Sequence, residues 1–191
     1  MKTEVRYLSA PEFRVESRDG EPTRITGYAA VYNALSHDLG GFRERILPGT
    51  FTRSLREQPD VRALVEHNDM LLLGRTKAGT LKITEDERGL AVEITPPDTT
   101  VGRDLIENIR LGNLDGMSFR FNTVKDAWNK TDDGTVRDLA DVDLIEVSVV
   151  SVPAYPDTEV AVRSLQSWSK SNDFDPATLK TLEYKLKLAC L

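Results

Sequence analysis

One histidine and one serine stand in local settings where together they could perform nucleophilic catalysis. His67 follows the apolar residues 63–65, at the end of a predicted buried strand, and Ser118 precedes an alternating apolar run. A serine hydroxyl is a weak nucleophile at neutral pH and needs a base such as histidine to take its proton. The chain has only two histidines, so the base must be His67 or His37. His37 lies in a polar, turn-like loop where solvation is expected, which favours His67.

Ser118 is preferred over the other serines because of what precedes it. Gly116 is expected to let the backbone turn tightly, leaving the hydroxyl at a strand start within reach of a substrate. Ser148 and Ser151 are alternatives, although both lie within residues 142–152, the most β-prone run of the chain.

A histidine base also needs a group that holds its ring in one tautomer and orientation. Glu146 is the candidate, because it lies among apolar neighbours where a carboxylate requires a partner. Asp143 and Asp141 are rivals on the approach to the same strand. A salt bridge to Arg120 is the alternative explanation for Glu146.

The elements that would position these residues are mainly strands. Alternating or β-branched runs, bounded by glycine, proline or aspartate, predict strands. The predicted strands cover residues 24–32, 42–46, 61–66, 71–76, 80–84, 90–94, 117–124 and 142–152. The pattern therefore predicts an α+β, mainly β protein built on an antiparallel sheet or barrel.

Two helices are predicted in the same part of the chain. Thr50 is expected to cap a short helix through about residue 55, and Asp98 or Thr99 to cap a longer one that Gly112 ends. The longer helix presents one apolar face, which is expected to pack on the sheet. That face consists of Val101, Leu105, Ile106 and Ile109.

The domain organisation follows from a change of composition near residue 164. Residues 1–163 are predicted to form one domain, and residues 164–191 a linker followed by an amphipathic helix. The apolar stripe of that helix packs either on its own domain or on a partner, including another copy of the chain. It consists of Leu179, Leu182, Leu186 and Ala189.

Composition excludes several classes of function. The 191-residue chain carries a net charge of −6 and offers no basic stripe, so nucleic acid is not an expected partner. No phosphate-binding glycine loop and no histidine or cysteine pair with metal-ligand spacing is present, so no metal or organic cofactor is expected. No apolar run approaches the roughly 20 residues of a membrane span. A single cysteine, Cys190, rules out an internal disulfide and suggests a reducing, cytoplasmic setting.

Five segments in order resemble the prohead (capsid maturation) proteases of tailed bacteriophages, a serine peptidase family related in fold to the herpesvirus assemblins. Together they fall within residues 24–163. The matching segments are Gly27-Tyr28-Ala29-Ala30-Val31-Tyr32, the run from Gly40 to Phe51, Val65-Glu66-His67-Asn68, Gly116-Met117-Ser118-Phe119-Arg120-Phe121, and the run from Ile145 to Tyr155. No chemistry is assigned to residues 40–51, where Arg43 and Arg45 are expected to pair with acids.

The resemblance implies a serine endopeptidase with Ser118 as nucleophile and His67 as base. Assemblins use a second histidine as the third residue, whereas this chain has none after His67, which leaves Glu146 at the matching strand. By the same analogy Val152 or Ala154 would give an N–H to the oxyanion, since Pro153 has none.

The resemblance also implies where the protease acts and on what. The implied substrates are scaffold sequence, often an extension of the major capsid protein, and the protease itself, inside a procapsid assembling in the host cytoplasm. The rival hypothesis is a non-catalytic assembly factor of the same fold that binds capsid or scaffold protein.

Overall fold

The computed structural model describes residues 3–9, 13–39, 41–57, 60–132 and 134–151. This part of the chain contains ten strands, two α-helices and one 3₁₀ turn at Thr76–Ala78, which confirms the mainly β α+β class. The strands are β1 (Thr3–Ser9), β2 (Arg14–Glu16), β3 (Arg24–Val31), β4 (Phe42–Ile46), β5 (Arg62–Val65), β6 (Asn68–Arg75), β7 (Leu81–Glu85), β8 (Gly89–Ile94), β9 (Gly116–Thr131) and β10 (Gly134–Val150). The helices are α1 (Thr52–Arg56) and α2 (Thr100–Arg110).

The strands form two sheets, and the larger one contains Ser118, Glu146 and the two strands whose connecting turn carries His67. Its order is β1-β9-β10-β5-β6, with β4 also paired to β10. The long hairpin of β9 and β10 is its centre. β10 runs parallel to β4 through Thr135–Leu139 and parallel to β5 through Glu146–Val149, while the other pairs are antiparallel. The second sheet, β2-β3-β8-β7, is antiparallel throughout.

A single hydrophobic core joins the two sheets. Alternate residues of each strand point to the same face, so β9 supplies Phe119 and Phe121 to the core, and β3 and β8 supply Ile25 and Leu90. All four side chains are at most 1% exposed. Full burial of such a side chain contributes about 1.5–3 kcal/mol to folding, which makes β9 a rigid support for Ser118.

The longer helix follows the sequence prediction and the shorter one does not. Thr99 caps α2 by accepting a hydrogen bond from the Gly102 N–H at 3.3 Å, and Gly112 beyond its end has a left-handed φ of 75°. Thr50 was expected to cap α1, but the N-cap is Phe51, without a side-chain bond. The Thr50 hydroxyl is instead buried, 2.6 Å from the carbonyl oxygen of Leu47 and within reach of β10.

Neither described helix is long and apolar enough to cross a membrane. The division at residue 164, the terminal helix, Val152 and Ala154 lie outside the described residues, so these sequence-based expectations stay predictions.

Candidate active site

Three neighbouring strands bring the candidate residues to one face of the larger sheet. Ser118 of β9 is the register partner of Ser148 on β10, and Arg120 is the partner of Glu146. On the other side of β10, β5 ends beside Val149 and leads directly into His67. Residues far apart in sequence therefore converge on β10.

His67 lies in the two-residue turn that joins β5 to β6. Both turn residues have positive φ, 51° for Glu66 and 55° for His67, as in the type I′ turn of tight hairpins. Non-glycine residues adopt this region only at a cost of about 1–3 kcal/mol each, and such strain gathers at functional sites. Several hydrogen bonds hold the turn in place. The His67 N–H donates to Ser148 Oγ at 3.2 Å, and the Ser151 N–H and hydroxyl donate to the Glu66 carboxylate at 2.7 and 2.6 Å.

The imidazole of His67 bridges the serine and the acid. Its Nε2 lies 2.7 Å from Ser118 Oγ, and its Nδ1 is hydrogen-bonded to the Glu146 carboxylate. With the Nδ1 proton donated to Glu146, Nε2 is left as the acceptor that can take the serine proton. The arrangement can therefore activate a hydroxyl for attack on a carbonyl.

Glu146 is fully buried and has partners on every side. Arg120 Nε lies 3.6 Å from the same carboxylate oxygen that binds His67, and Ser148 Oγ lies 3.4 Å from both oxygens. The histidine contact and the Arg120 salt bridge, considered as alternatives from sequence, thus occur together. Burying a carboxylate is costly unless a cation and hydrogen-bond donors offset the cost, and these neighbours supply both.

The two rival acids belong to a different cluster. Asp141 lies 2.9 Å from Arg53 Nε and Asp143 lies 2.5 Å from another nitrogen of the same guanidinium. Arg53 is on α1, away from His67, so the structure does not bring either aspartate to the imidazole.

The other candidate residues are also separated from the imidazole ring. Ser148 is buried and its hydroxyl faces the Glu146 carboxylate, while Ser151 is exposed and bonds Glu66. His37 is exposed in the loop between β3 and β4. Among these alternatives, Ser118 and His67 are the pair in hydrogen-bond contact.

Gly116 has a role different from the one expected. It begins β9 without a left-handed φ, so it does not make the tight turn that the sequence suggested. The reason for a glycine is steric, because a Cβ there would lie 2.3 Å from a carbon of the Tyr7 ring. The ring of Tyr7 therefore lies directly over Gly116.

An N-terminal strand that the sequence did not reveal covers the serine. β1 pairs with β9 in antiparallel register, with Tyr7 opposite Ser118 and Arg6 opposite Phe119. The Ser118 hydroxyl donates to the carbonyl oxygen of Arg6 at 2.9 Å, and Ser118 is 0% exposed.

A buried ion network fixes β1 to the sheet. Arg137 of β10 donates to Glu4 at 2.7 Å, to Glu44 at 3.1 Å and to Asp126 at 2.7 Å. Arg6 donates to Glu44 at 2.5 and 2.8 Å and to Glu4 at 2.7 Å. Burial alone would raise the pKa of Glu4, but the hydrogen bond from Arg137 and the charges of Arg6 and Arg137 lower it to about 2.

The expectation for residues 40–51 was that their arginines pair with acids. Arg45 forms such a pair with Asp138, at 2.8 Å, whereas Arg43 is exposed. No group of three or more histidine, cysteine, aspartate or glutamate side chains among the described residues could hold a metal ion.

Comparisons with known proteins agree with this fold. Residues 11–172 match the family model described as caudovirus prohead serine protease. Among solved structures, the chain is similar to the capsid assembly protease gp21 of bacteriophage T4, with a TM-score of 0.52 and 13% identity. That match covers 77% of this chain and 98% of the other. None of the curated proteins matches the chain.

Proposed function

Since the chain belongs to the caudovirus prohead serine protease family, we propose that it is a serine endopeptidase with Ser118 as nucleophile, His67 as base and Glu146 as the residue that orients His67. The observation that carries the proposal is the continuous contact from Ser118 Oγ to Nε2, at 2.7 Å, and from Nδ1 to the Glu146 carboxylate.

The proposed reaction needs no metal or cofactor and transfers the acyl group twice. Ser118 Oγ attacks the carbonyl carbon of the scissile peptide bond while His67 Nε2 takes its proton. The tetrahedral intermediate collapses, the C–N bond breaks, and Nε2–H protonates the leaving amine. His67 then takes a proton from a water molecule that attacks the Ser118 ester. As the bond between the acyl carbon and Oγ breaks, Nε2–H returns the proton to Ser118 Oγ and the new carboxylate is released.

Glu146 supports both steps by stabilising the imidazolium that forms on His67. Its negative charge lies in the protein interior, where a charge interacts more strongly with a new positive charge than it would in water. Arg120 and Ser148 hold the carboxylate in place through the contacts described above, so each acts as a positioning residue.

The proposed substrates are proteins of the assembling capsid. They include a scaffold segment or an extension of the major capsid protein, and the protease itself, cleaved inside a procapsid in the host cytoplasm. Membership of the prohead protease family supports this proposal, as does the fold shared with a protein described as a capsid assembly protease.

Co-expression with the major capsid protein tests the proposal. The native chain should shorten the capsid protein, as measured by intact mass, and Ser118→Ala should leave it uncut. A fluorophosphonate should label the native chain at Ser118. Ser17→Ala removes an exposed serine whose hydroxyl contacts Thr23 and Arg110, so it is the control that should retain cleavage.

Cleavage that persists in Ser118→Ala would refute the nucleophile assignment. An uncut capsid protein that still co-purifies with the native chain would favour the non-catalytic assembly factor. The contact between His67 and Ser118 favours the enzyme, because the rival hypothesis gives no reason for those atoms to meet.

A further inference from the structure

We propose that the edge of β9 beside Ser118 is the peptide-binding site of this protease and that residues 3–9 occupy it in cis. In this arrangement Arg6 takes the place of the residue before the scissile bond, and Glu44 is the acid that selects a basic side chain there. The inference rests on the proposed function of Ser118 and adds the substrate class and its regulation.

β1 lies where an extended substrate would bind. It is the terminal strand of the larger sheet and pairs with β9 along its whole length, so its removal leaves the main-chain groups of β9 unpaired. A sheet edge of this kind binds an extended peptide as an added strand. The family match begins at residue 11, so β1 lies outside the matched segment.

The contact between Arg6 and Ser118 is inhibitory. The serine hydroxyl has one proton, and donating it to the Arg6 carbonyl at 2.9 Å competes with donating it to His67. Cleavage requires Oγ to reach the carbonyl carbon, whereas this contact is with the carbonyl oxygen. β1 therefore presents a peptide bond beside the nucleophile and holds the nucleophile in a resting state.

Glu44 has the geometry of a basic-residue selector. Both its oxygens accept hydrogen bonds from Arg6, at 2.5 and 2.8 Å, in the two-pronged arrangement that is specific for guanidinium. Glu44 is only 3% exposed and belongs to β4, so it stays in place when β1 leaves. Departure of β1 removes Glu4 and Arg6 together and leaves Glu44 and Asp126 with Arg137, one negative charge in excess. Glu4 and Arg6 have opposite charges, so the network carries the same excess with β1 in place, and a basic side chain that arrives without an acid neutralises it.

The residue after the bond also has a defined position. The Tyr7 ring fills the space that the missing side chain of Gly116 leaves, as close as 2.3 Å to where a Cβ would be. This space accepts a side chain from the leaving part of a substrate in the same way.

A disulfide between β1 and β9 tests whether β1 occupies the proposed peptide-binding site, and it removes no part of the fold. Thr3 and Asn122 are register partners whose side chains meet at 3.0 Å, and Asn122 lies four residues along β9 from Ser118. In a Cys190→Ser background, Thr3→Cys with Asn122→Cys should slow fluorophosphonate labelling of Ser118 at least about tenfold when oxidised, and a reductant should restore it. The single variant Thr3→Cys should label equally under both conditions.

The outcomes separate the inference from the function on which it rests. Equal labelling of the locked and reduced forms would overturn the occupancy of the site by β1 and leave the serine protease intact. Absence of labelling in the native and reduced chains alike would remove the proposed function itself.

Matched peptide aldehydes test the role of Glu44 on the full-length chain. Acetyl-Glu-Val-Arg-aldehyde should inhibit roughly tenfold more tightly than the norleucine analogue, because only the arginine forms charge-assisted bonds to Glu44. Glu44→Gln should abolish the difference. Asp143→Asn, at an acid that pairs with Arg53 outside this network, should retain it. Equal inhibition of the native chain by both aldehydes would overturn the assignment of Glu44.

Discussion

Two buried polar clusters lie on the same pair of strands and differ in what their charges can do. The cluster on one face of β9 and β10 joins Ser118, His67 and Glu146. The other cluster joins β1 to Glu44 and Arg137 through carboxylates and guanidiniums, with the Thr123 hydroxyl between Glu4 and Arg137. The first contains a hydroxyl, an imidazole and a carboxylate in a row, a set that can pass a proton, whereas the second consists of ion pairs.

The pKa values of the ion network show that its groups keep their charge. In the ion network, the pKa of Glu4 is lowered to about 2. The pKa of Arg137, which burial by itself would lower, is raised above its usual range by its bonds to Glu4 and the charge of Glu44. The other cluster contains a histidine, the residue type that most often acts as a general acid or base. Groups that keep their charge can hold strands together, and groups that pass a proton can act in catalysis. Mutations in the catalytic cluster should therefore lower the rate of cleavage, and mutations in the ion network should lower the stability of the fold.

The largest expected effect is on rate alone, from His67→Gln. Loss of the base should slow trimming of the capsid protein on the order of 10⁵- to 10⁶-fold, measured by intact mass against time. The urea midpoint of unfolding should change little. His37→Gln, at the exposed histidine, is the matched control and should retain the native rate.

Glu146→Gln should have the next largest effect. The amide keeps the shape of the side chain but no longer fixes the tautomer or stabilises the imidazolium, so the rate should fall on the order of 10⁴-fold. Asp143→Asn, at an acid bound to Arg53, should change the rate less than about threefold. Equal losses of cleavage rate in the two variants would mean that Asp143 also acts in the site, which would contradict its assignment to a separate cluster.

Arg137→Met should show the converse behaviour. It leaves Glu4 and Glu44 buried with less compensation and should lower the free energy of unfolding by about 3–5 kcal/mol, measured by urea denaturation. Arg53→Met is the control, because Arg53 also pairs with several acids but is 28% exposed. Its cost should stay below about 1 kcal/mol. Similar losses of unfolding free energy in both variants would mean that burial does not make the ion network more stabilising than the exposed ion pairs of Arg53.

The smallest expected effect is a pH dependence of stability that comes from the ion network. The folded pKa of Glu4, about 2, lies below its ordinary value of 4.5, so ionised Glu4 stabilises the fold. That contribution is complete above the ordinary value and is lost as pH falls toward 2, a change of about 3 kcal/mol. Urea titrations across that range should show the loss, and Glu4→Gln should flatten it. An unchanged pH profile in Glu4→Gln would assign the acid sensitivity to other carboxylates.

The strands around the site were largely predictable because their inner residues are apolar. Alternation of Phe119 and Phe121, and the β-prone run around Val147, indicate strands from local sequence. His67 and Ser118 could be singled out because histidine is scarce and because the segments around them resemble a known family. The pairing of β10 with β4 and β5 was not predictable, since the neighbours of a strand depend on packing across the whole sheet.

β1 and its ion network were missed for a related reason. The buried face of β1 carries Glu4 and Arg6, which by themselves suggest an exposed segment. Their partners, Glu44 and Arg137, are remote in sequence. No local signal marks Arg137 either, because it lies between Val136 and Asp138 in a run of mixed polarity.

The turn at His67 is a second feature that could not be predicted from the sequence. Left-handed backbone is normally signalled by glycine or asparagine, whereas here Glu66 and His67 adopt it. Their hydrogen bonds to Ser148, near the end of β10, and to Ser151, just after it, replace the usual sequence signal. Contacts of this kind can be recognised only after β10 is placed beside β5.

The parallel contact of β10 with β5 has a consequence for when activity can begin. β10 is the last described strand, and it holds β9 and the β5–β6 turn in register with each other. A nascent chain that ends before about residue 146 lacks both this joining strand and its acid. Contacts over so long a sequence separation also form slowly. We therefore expect newly made protein to remain inert through synthesis and early folding.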